Sequence, residues 1–341
     1  SSFGRTGFAG NVVGWVRKIL AILSVTTLIL VGVAALMDPT IRYPILGVAF
    51  SRDLQALNGS DPLTVMLSVE TGLEMLPEEE LSEEPSVQDT YNLLLILREE
   101  FQAQSESATV TYGVEEMESE QWAWKEAKLK ELKARTEVSA FGAAKAPTIT
   151  APKKSTMASP EVWTPLVLSF WPKLPDGLKR VGATWQEQVP FEESEPLTGK
   201  PIKVNYNLVY KLDKFINTEN GVLVNLIVVG SIDESTEVGG GVDVRGTYKG
   251  YILVEPDSGR VYGGEYRIEE SIVVKQPNLP VLRKVSYQGA RFWRPMFYKM
   301  SQQQLSGGEA PTAPPEAAPG KSGDSPTVST TPLDVPLESP K

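Results

Sequence analysis

The 341-residue chain contains no cysteine and no histidine. Without cysteine there is no disulfide, no thiolate nucleophile, no iron–sulfur ligation and no cysteine zinc site. Without histidine the commonest general acid/base, the commonest transition-metal ligand and the usual haem ligand are missing. Serine triads and cysteine dyads are therefore closed, and no cofactor is expected. Positive charge is also scarce: 33 Lys and Arg face 43 Asp and Glu, for a net charge of −10. The first 18 residues run against that balance, with Arg5, Arg17, Lys18 and no acid, which leaves −13 on the remainder. An acidic body is repelled by phosphate backbones, so no nucleic-acid partner is expected.

Long apolar runs are also few, and one dominates. From Ile19 to Met37 every residue is uncharged and most are Leu, Ile, Val or Ala. At 1.5 Å per residue this run reaches about 28 Å, close to the hydrocarbon thickness of a bilayer. Trp15 falls at the expected interface, Arg17 and Lys18 close one end, and Asp38-Pro39 stops a helix at the other. The charge bias predicts a cytoplasmic N-terminus and an extracytoplasmic bulk. A cleaved signal peptide ending near Val33-Ala34-Ala35 is the competing outline, but the run exceeds a typical signal core. Gly32, Ala34 and Ala35 are small residues that permit close helix approach in lipid.

The remaining catalytic chemistry is thin. Lys153-Lys154-Ser155 lies in a stretch rich in Ala, Lys, Pro, Thr and Ser, where no oxyanion hole is expected. Gly239-Gly240-Gly241 has no Gly-Lys-Ser/Thr after it and reads as a hairpin loop. Glu78-Glu79-Glu80 and Glu83-Glu84 lack the alternating ligands and turning glycine of a calcium loop, and read as a solvated acidic face. A carboxylate hydrolase stays formally open through Glu265, Glu269 and Glu270, although Glu265 and Glu269 share a strand face with Arg267. No catalytic or metal-binding residue is assigned, and the chain is read as not an enzyme.

Periodicity predicts a mainly β protein with some α. Thr64–Val69 and Thr109–Tyr112 read as strands. Val87, Tyr91, Leu94, Leu95 and Phe101 fall at helical spacing behind Ser86, and residues 115–137 read as a second helix with Glu126→Lys130 and Glu131→Arg135 pairs. Residues 140–160 read as an extended linker. Ile202 to Leu212 alternates with period two, and Val222–Val229, Val242–Val254, Val261–Val274 and Val281–Trp293 continue an antiparallel meander, either a sandwich or a curved partial barrel. Gly246, Gly250 and Gly264 mark bends. Trp163, Phe170, Trp171 and Trp185 read as core. The expected organisation is a stub at 1–18, a transmembrane helix at 19–37, a membrane-proximal strand/helix region at 38–139, the linker at 140–160, a β domain at 161–300 flanked by one or two helices, and a Pro-rich low-complexity tail at 301–341.

Trp171-Pro172-Lys173-Leu174-Pro175, Val181-Gly182-Ala183-Thr184-Trp185 and Ser258-Gly259-Arg260 together resemble phrases of bacterial envelope proteins that open a β-meander with a Gly-Asp-x-Trp turn and later use a Ser-Gly-Arg hairpin. Ala183 stands where that turn carries an acid. The resemblance covers about residues 165–290 and implies a periplasmic or lipoprotein-like β domain with no catalytic residues to carry over.

The expectation is a non-enzymatic, single-pass accessory subunit of a bacterial inner-membrane complex of photosynthetic, respiratory or secretion type. Its partners would be other membrane subunits and the lipid bilayer. The alternative is a tethered carrier or sensor that holds a lipid or other apolar ligand in the curved sheet. Partner contacts are expected at Ile41, Tyr43, Ile45, Leu46 and Phe50. A second patch is expected at Arg291, Phe292, Trp293, Arg294, Phe297 and Tyr298, where aromatic rings and arginines mix as they do in interface hot spots.

Overall fold

The structure, a computed structural model, describes residues 23–27, 32–33, 37–54, 62–77, 87–119, 131–151, 159–234, 241–276 and 279–295. It is mainly β. After a short helix α1 (Pro39–Leu46) and strand β1 (Val48–Ala49) come β2 (Leu63–Leu76), β3 (Asp89–Ala103), β4 (Ser107–Glu118), β5 (Lys133–Ser139) and β6 (Thr148–Thr150). Helix α2 (Pro160–Phe170) follows, then β7 (Leu178–Lys179), β8 (Thr184–Ser194), β9 (Pro201–Thr218), β10 (Gly221–Glu234), β11 (Val242–Val254), β12 (Val261–Val274) and β13 (Val281–Trp293). Eleven strands form one antiparallel sheet in the order β6-β5-β4-β3-β2-β13-β12-β11-β10-β9-β8, curled into a half-barrel, and β1 pairs separately with β7.

The meander from β9 to β13 forms as the sequence pattern indicates, with the cleanest period-two alternation in β9 and a continuous buried run from Val222 to Leu226 in β10. Ile202, Val204, Tyr206, Leu208, Tyr210 and Leu212 are all buried, while Lys203, Asn205, Asn207, Val209 and Lys211 face outward to varying degrees. The sheet does not stop there. β13 pairs with β2 from Val281↔Leu76 to Trp293↔Thr64, so residues 63–150 and 184–293 build one sheet and not the two regions expected at 38–139 and 161–300.

Three sequence expectations are corrected here. The segment read as a helix from Val87 to Phe101 is β3, in which Leu93, Leu95 and Leu97 are buried between the neighbouring strands. Its unbroken Leu-Leu-Leu-Ile-Leu run satisfies helical spacing and a nearly two-sided strand alike, and pairing partners on both sides decide for the strand. The helix expected over 115–137 is replaced at both ends by strand: β4 continues to Glu118, and Lys133–Ser139 alternates exposed and buried as β5. Residues 120–130, which include Trp122 and Trp124, lie outside the described residues. The expected linker at 140–160 contains β6 and ends in the cap of α2, with Pro160 in its first turn.

α2 fills the half-barrel. Val162 to Phe170 are buried without exception, so beyond Pro160 and Glu161 the helix has no solvent face. A helix apolar all round belongs in a core, and this one is placed by polar pins as well as by packing. Gln288 Nε2 donates to the Val162 carbonyl (2.8 Å), Ser169 Oγ and Tyr248 Oη share a hydrogen bond (2.6 Å), and Lys284 Nζ meets Glu161 Oε2 (2.6 Å). At its C-terminal end Phe170 packs edge-on against Phe292, with ring centroids 5.0 Å apart, and Trp171 donates to the Tyr112 hydroxyl (2.5 Å).

The bends expected at Gly246, Gly250 and Gly264 coincide with close backbone approaches. A β-carbon at Gly264 would stand 2.7 Å from Phe292 Cζ, and only glycine leaves room for that ring under the helix. Gly264→Val is therefore expected to overpack the interior and lower stability by about 2 kcal/mol. Gly113→Ala, where nothing lies within 4 Å of the added carbon, should stay close to wild type. Thermal melts of the purified chain measure both. Equal stability of the two variants would show that the Phe292–Phe170 packing tolerates the extra side chain.

Candidate functional site

The half-barrel has a charged cluster at each end of α2. At the N-terminal end, the sheet's curl carries edge strand β8 over β12 and brings Glu193 against Glu270, although β9, β10 and β11 lie between their strands. Both carboxyl groups are buried, and among the described residues Glu193 Oε1, Glu193 Oε2 and Glu270 Oε1 have no hydrogen-bond donor. Two carboxylates offer only acceptors to each other, so the arrangement calls for a shared proton. Ser286 supplies one long hydrogen bond to Glu270 Oε2 (3.4 Å), and the Lys284–Glu161 ion pair sits beside the two glutamates.

The electrostatics follow from burial. Desolvation, with a contribution from Glu161, raises the Glu270 carboxyl to about 7 against the opposing pull of Lys284. Desolvation and the charge of Glu270 raise Glu193 well above the usual carboxylate range. Tyr206 beside them is pushed far up by burial and by the same two acids. Burial works against the Lys284 ammonium, but Glu161, Glu193 and Glu270 together hold its pKa above the ordinary lysine value.

The cluster at the C-terminal end is built from arginines. Arg294 makes a fork to Glu99 (2.7 and 2.9 Å) and donates to the Val261 carbonyl (2.8 Å), all buried. Arg52 donates to the carbonyls of Ser139 (2.8 Å), Gly142 (3.1 Å) and Pro172 (2.9 Å) and lies over the Trp171 ring (5.1 Å). Desolvation lowers its pKa to about 10. These contacts tie the loops after β5 and α2 to the segment that follows α1.

The expected site residues divide. Ile41, Ile45 and Leu46 are exposed on α1. Tyr43 and Phe50 are buried instead: Tyr43 stacks on Phe215 (5.9 Å) and donates to Asp257 (2.7 Å), and Phe50 packs on Trp185 (6.1 Å). In the second patch, Arg291 pairs with Glu265 on the outer face of the sheet (2.9 Å) and Trp293 is half-buried beside it. Phe292 and Arg294 are corrected from partner contacts to interior residues: alternation on β13 turns Phe292 toward α2, and Arg294, one residue past the strand and held by its N–H on the Tyr262 carbonyl, turns to Glu99. Phe297 and Tyr298 lie outside the described residues, as do Trp15, Arg17, Lys18, Ala34 and Ala35. Gly32 is helical and has open space around it.

Sequence reasoning missed Glu193, Arg52 and the helix α2. Period two had the signal for the glutamates: Val189, Phe191 and Glu193 share one parity, and Tyr266, Ile268, Glu270 and Ile272 share another. For α2 the signal was Ser159-Pro160-Glu161, a helix start masked by Pro165 inside the helix. Among the described residues, no group of three or more acidic side chains could hold a metal ion, and no helix is long and apolar enough to cross a membrane. Most of residues 19–37 falls outside the described residues, and 23–27 and 32–33 within it are helical and exposed. No protein-family model matches the chain, and no curated protein matches its sequence.

Two predictions follow from these clusters. A carboxyl whose pKa is higher folded than unfolded makes the folded state the stronger proton binder. Stability therefore falls as pH rises from about 4.5, and for Glu270 the loss is complete above about 7. That window corresponds to roughly 3 kcal/mol. The chain is expected to melt lower at pH 8 than at pH 5, and Glu270→Gln should raise the pH 8 melt and flatten the difference. An unchanged pH dependence in the variant would dismiss the shared proton. At the other end, Arg294→Met should destabilise by roughly 3 kcal/mol by stranding the Glu99 charge, and adding Glu99→Gln should recover part of that loss. Additive losses in the double variant would show that the two side chains act independently.

Proposed function

We propose that this chain is a non-enzymatic, single-pass accessory subunit. A helix over residues 19–37 would anchor it, and the half-barrel would stabilise a larger membrane assembly. The observation that carries this reading is the filled interior. A carrier needs its concave face for a ligand, and here α2 occupies that face with nine consecutive buried residues, Val162 to Phe170. Apolar side chains are meanwhile exposed outside, at Met37, Ile41, Ile45 and Leu46, where the chain leaves the apolar run.

The carboxyl pair supports the same side of the choice. Hydrolysis by two carboxyl groups requires a substrate between them, whereas Glu193 and Glu270 face one another inside a packed end of the half-barrel. The bacterial inner membrane, with residues 1–18 cytoplasmic and the half-barrel periplasmic, is the orientation favoured by the cationic stub.

On this reading the chain stays in the membrane pellet through an alkaline carbonate wash and elutes from mild detergent with stoichiometric partner subunits. Protease added to spheroplasts digests the half-barrel. Recovery of the chain alone, saturated with extractable lipid, would reverse the choice in favour of the carrier. Release by carbonate would remove the anchor.

A further inference from the structure

We propose that the α1–β7 end of the half-barrel is a bilayer-docking surface, which lays this end of the domain on the headgroups of the membrane that residues 19–37 enter. The proposal rests on the reading of those residues as a span and adds an orientation to it.

Two distant segments build the surface. Gly47 ends α1 at φ +95°, a conformation that favours glycine, and a β-carbon there would stand 2.7 Å from the Lys179 carbonyl oxygen. The close approach lets Val48 pair with Lys179 and Ala49 with Leu178. Ile45 and Leu46 on one segment and Leu178 and Val181 on the other are thereby brought to the same edge. All four are exposed, Leu178 at 66% and Ile45 at 56%. The edge is held from behind. Tyr43 is buried against Phe215 with its hydroxyl on Asp257, Ser51 N–H donates to the Pro256 carbonyl (2.9 Å), and Ser51 Oγ donates to the Asp257 carbonyl (2.6 Å). α1 thus spends its one buried residue on its own domain and turns Ile41, Ile45 and Leu46 outward.

A bilayer is the occupant that fits. Asp38 caps α1 through the Thr40 amide (2.9 Å) and directly follows Met37, the end of the apolar run. Since an extended residue covers at most about 3.6 Å, a span that ends at Met37 leaves α1 no distance to rise from the surface. Arg42, Lys179 and Arg180 alternate with the apolar side chains, as Ile41-Arg42 and Leu178-Lys179-Arg180-Val181. Asp38 and Asp176 are the acids of the same segments, and Asp38 is engaged with Thr40. Cations interleaved with apolar side chains suit the interface, where stems lie in the acyl boundary and charged heads reach anionic phosphates. A protein partner would not require the surface to begin where the apolar run ends. With this end on the membrane, the Glu193–Glu270 end points away from it.

The absence of cysteine makes the test direct. Single cysteines are placed at Ile45→Cys and Leu178→Cys on the edge, at Val33→Cys in the span, and at Leu279→Cys between β12 and β13 at the opposite end. The full chain is nitroxide-labelled and reconstituted in vesicles of phosphatidylcholine and phosphatidylglycerol. Collision with oxygen, concentrated in lipid, is compared with collision with a water-soluble nickel chelate. The labels at 45 and 178 should favour oxygen several-fold over the label at 279. If the Val33 label lies in lipid while those at 45 and 178 match 279, docking is refuted and the anchor stands. A Val33 label open to nickel would refute the anchor and the docking together. Labels at 45 and 178 shielded from both reagents would show that protein covers the edge, which also overturns the proposal.

Discussion

The packing of α2 into the concave face of the sheet is the constraint on which the rest depends. Eleven antiparallel strands curled through a half-turn enclose a volume that their own inward side chains cannot fill from one wall. The chain supplies the missing layer as a helix that is buried on every side beyond its first two residues and pinned by Gln288, Tyr248 and Lys284. Because α2 falls between β6 and β7 in sequence, it separates the five strands on one flank from the six on the other, while β13 returns to join β2 and closes the sheet across the middle. Helix and sheet are therefore mutually dependent for burial.

Filling the half-barrel fixes where charge is tolerated. The side walls next to α2 are aromatic and aliphatic, with Phe191, Tyr206, Tyr248 and Tyr266 in ring contact along them. Ionisable groups collect at the helix ends, where backbone carbonyls and opposite charges can meet them. The Arg52 guanidinium meets three carbonyls through Nη1 and Nη2 and lies on an indole face, while its Nε has no partner among the described residues, and Arg294 meets Glu99 and a carbonyl. The Glu193–Glu270 pair is matched less well, since the cation beside it, Lys284, is already engaged by Glu161. A proton is the smallest group that satisfies it. The exposed strands at the sheet's limits are blunted by familiar means: β6 is three residues long, and β8 carries Pro190 and several glutamates.

Much of this was legible in the sequence. Period two gave β9 and the burial of its inward face, a continuous apolar run marked β10, and the absence of cysteine and histidine closed whole classes of chemistry from composition alone. The same alternation placed Glu270 with Tyr266 and Ile268 and not with Glu265 and Glu269. Where the sequence reading failed, the pattern was compatible with two periods. Leu93–Leu97 fits a helix face or a strand buried on both sides, and Lys133–Ser139 carries charges spaced for helix pairs while alternating as a strand. Local spacing cannot choose between these, because the choice is made by the strands on either side.

The sequence by itself determined composition-level limits, the apolar run at 19–37 and the inward and outward faces of the clearest strands, because these depend on residues a few positions apart. Only the tertiary structure decided that residues 63–150 join the same sheet, that Phe292 and Arg294 turn inward as interior residues, and that Glu193 meets Glu270. Each of those results needs the curl of the whole sheet around α2. Curl accumulates over many strand pairs, so it brings together residues whose separation in sequence carries no signal of their contact.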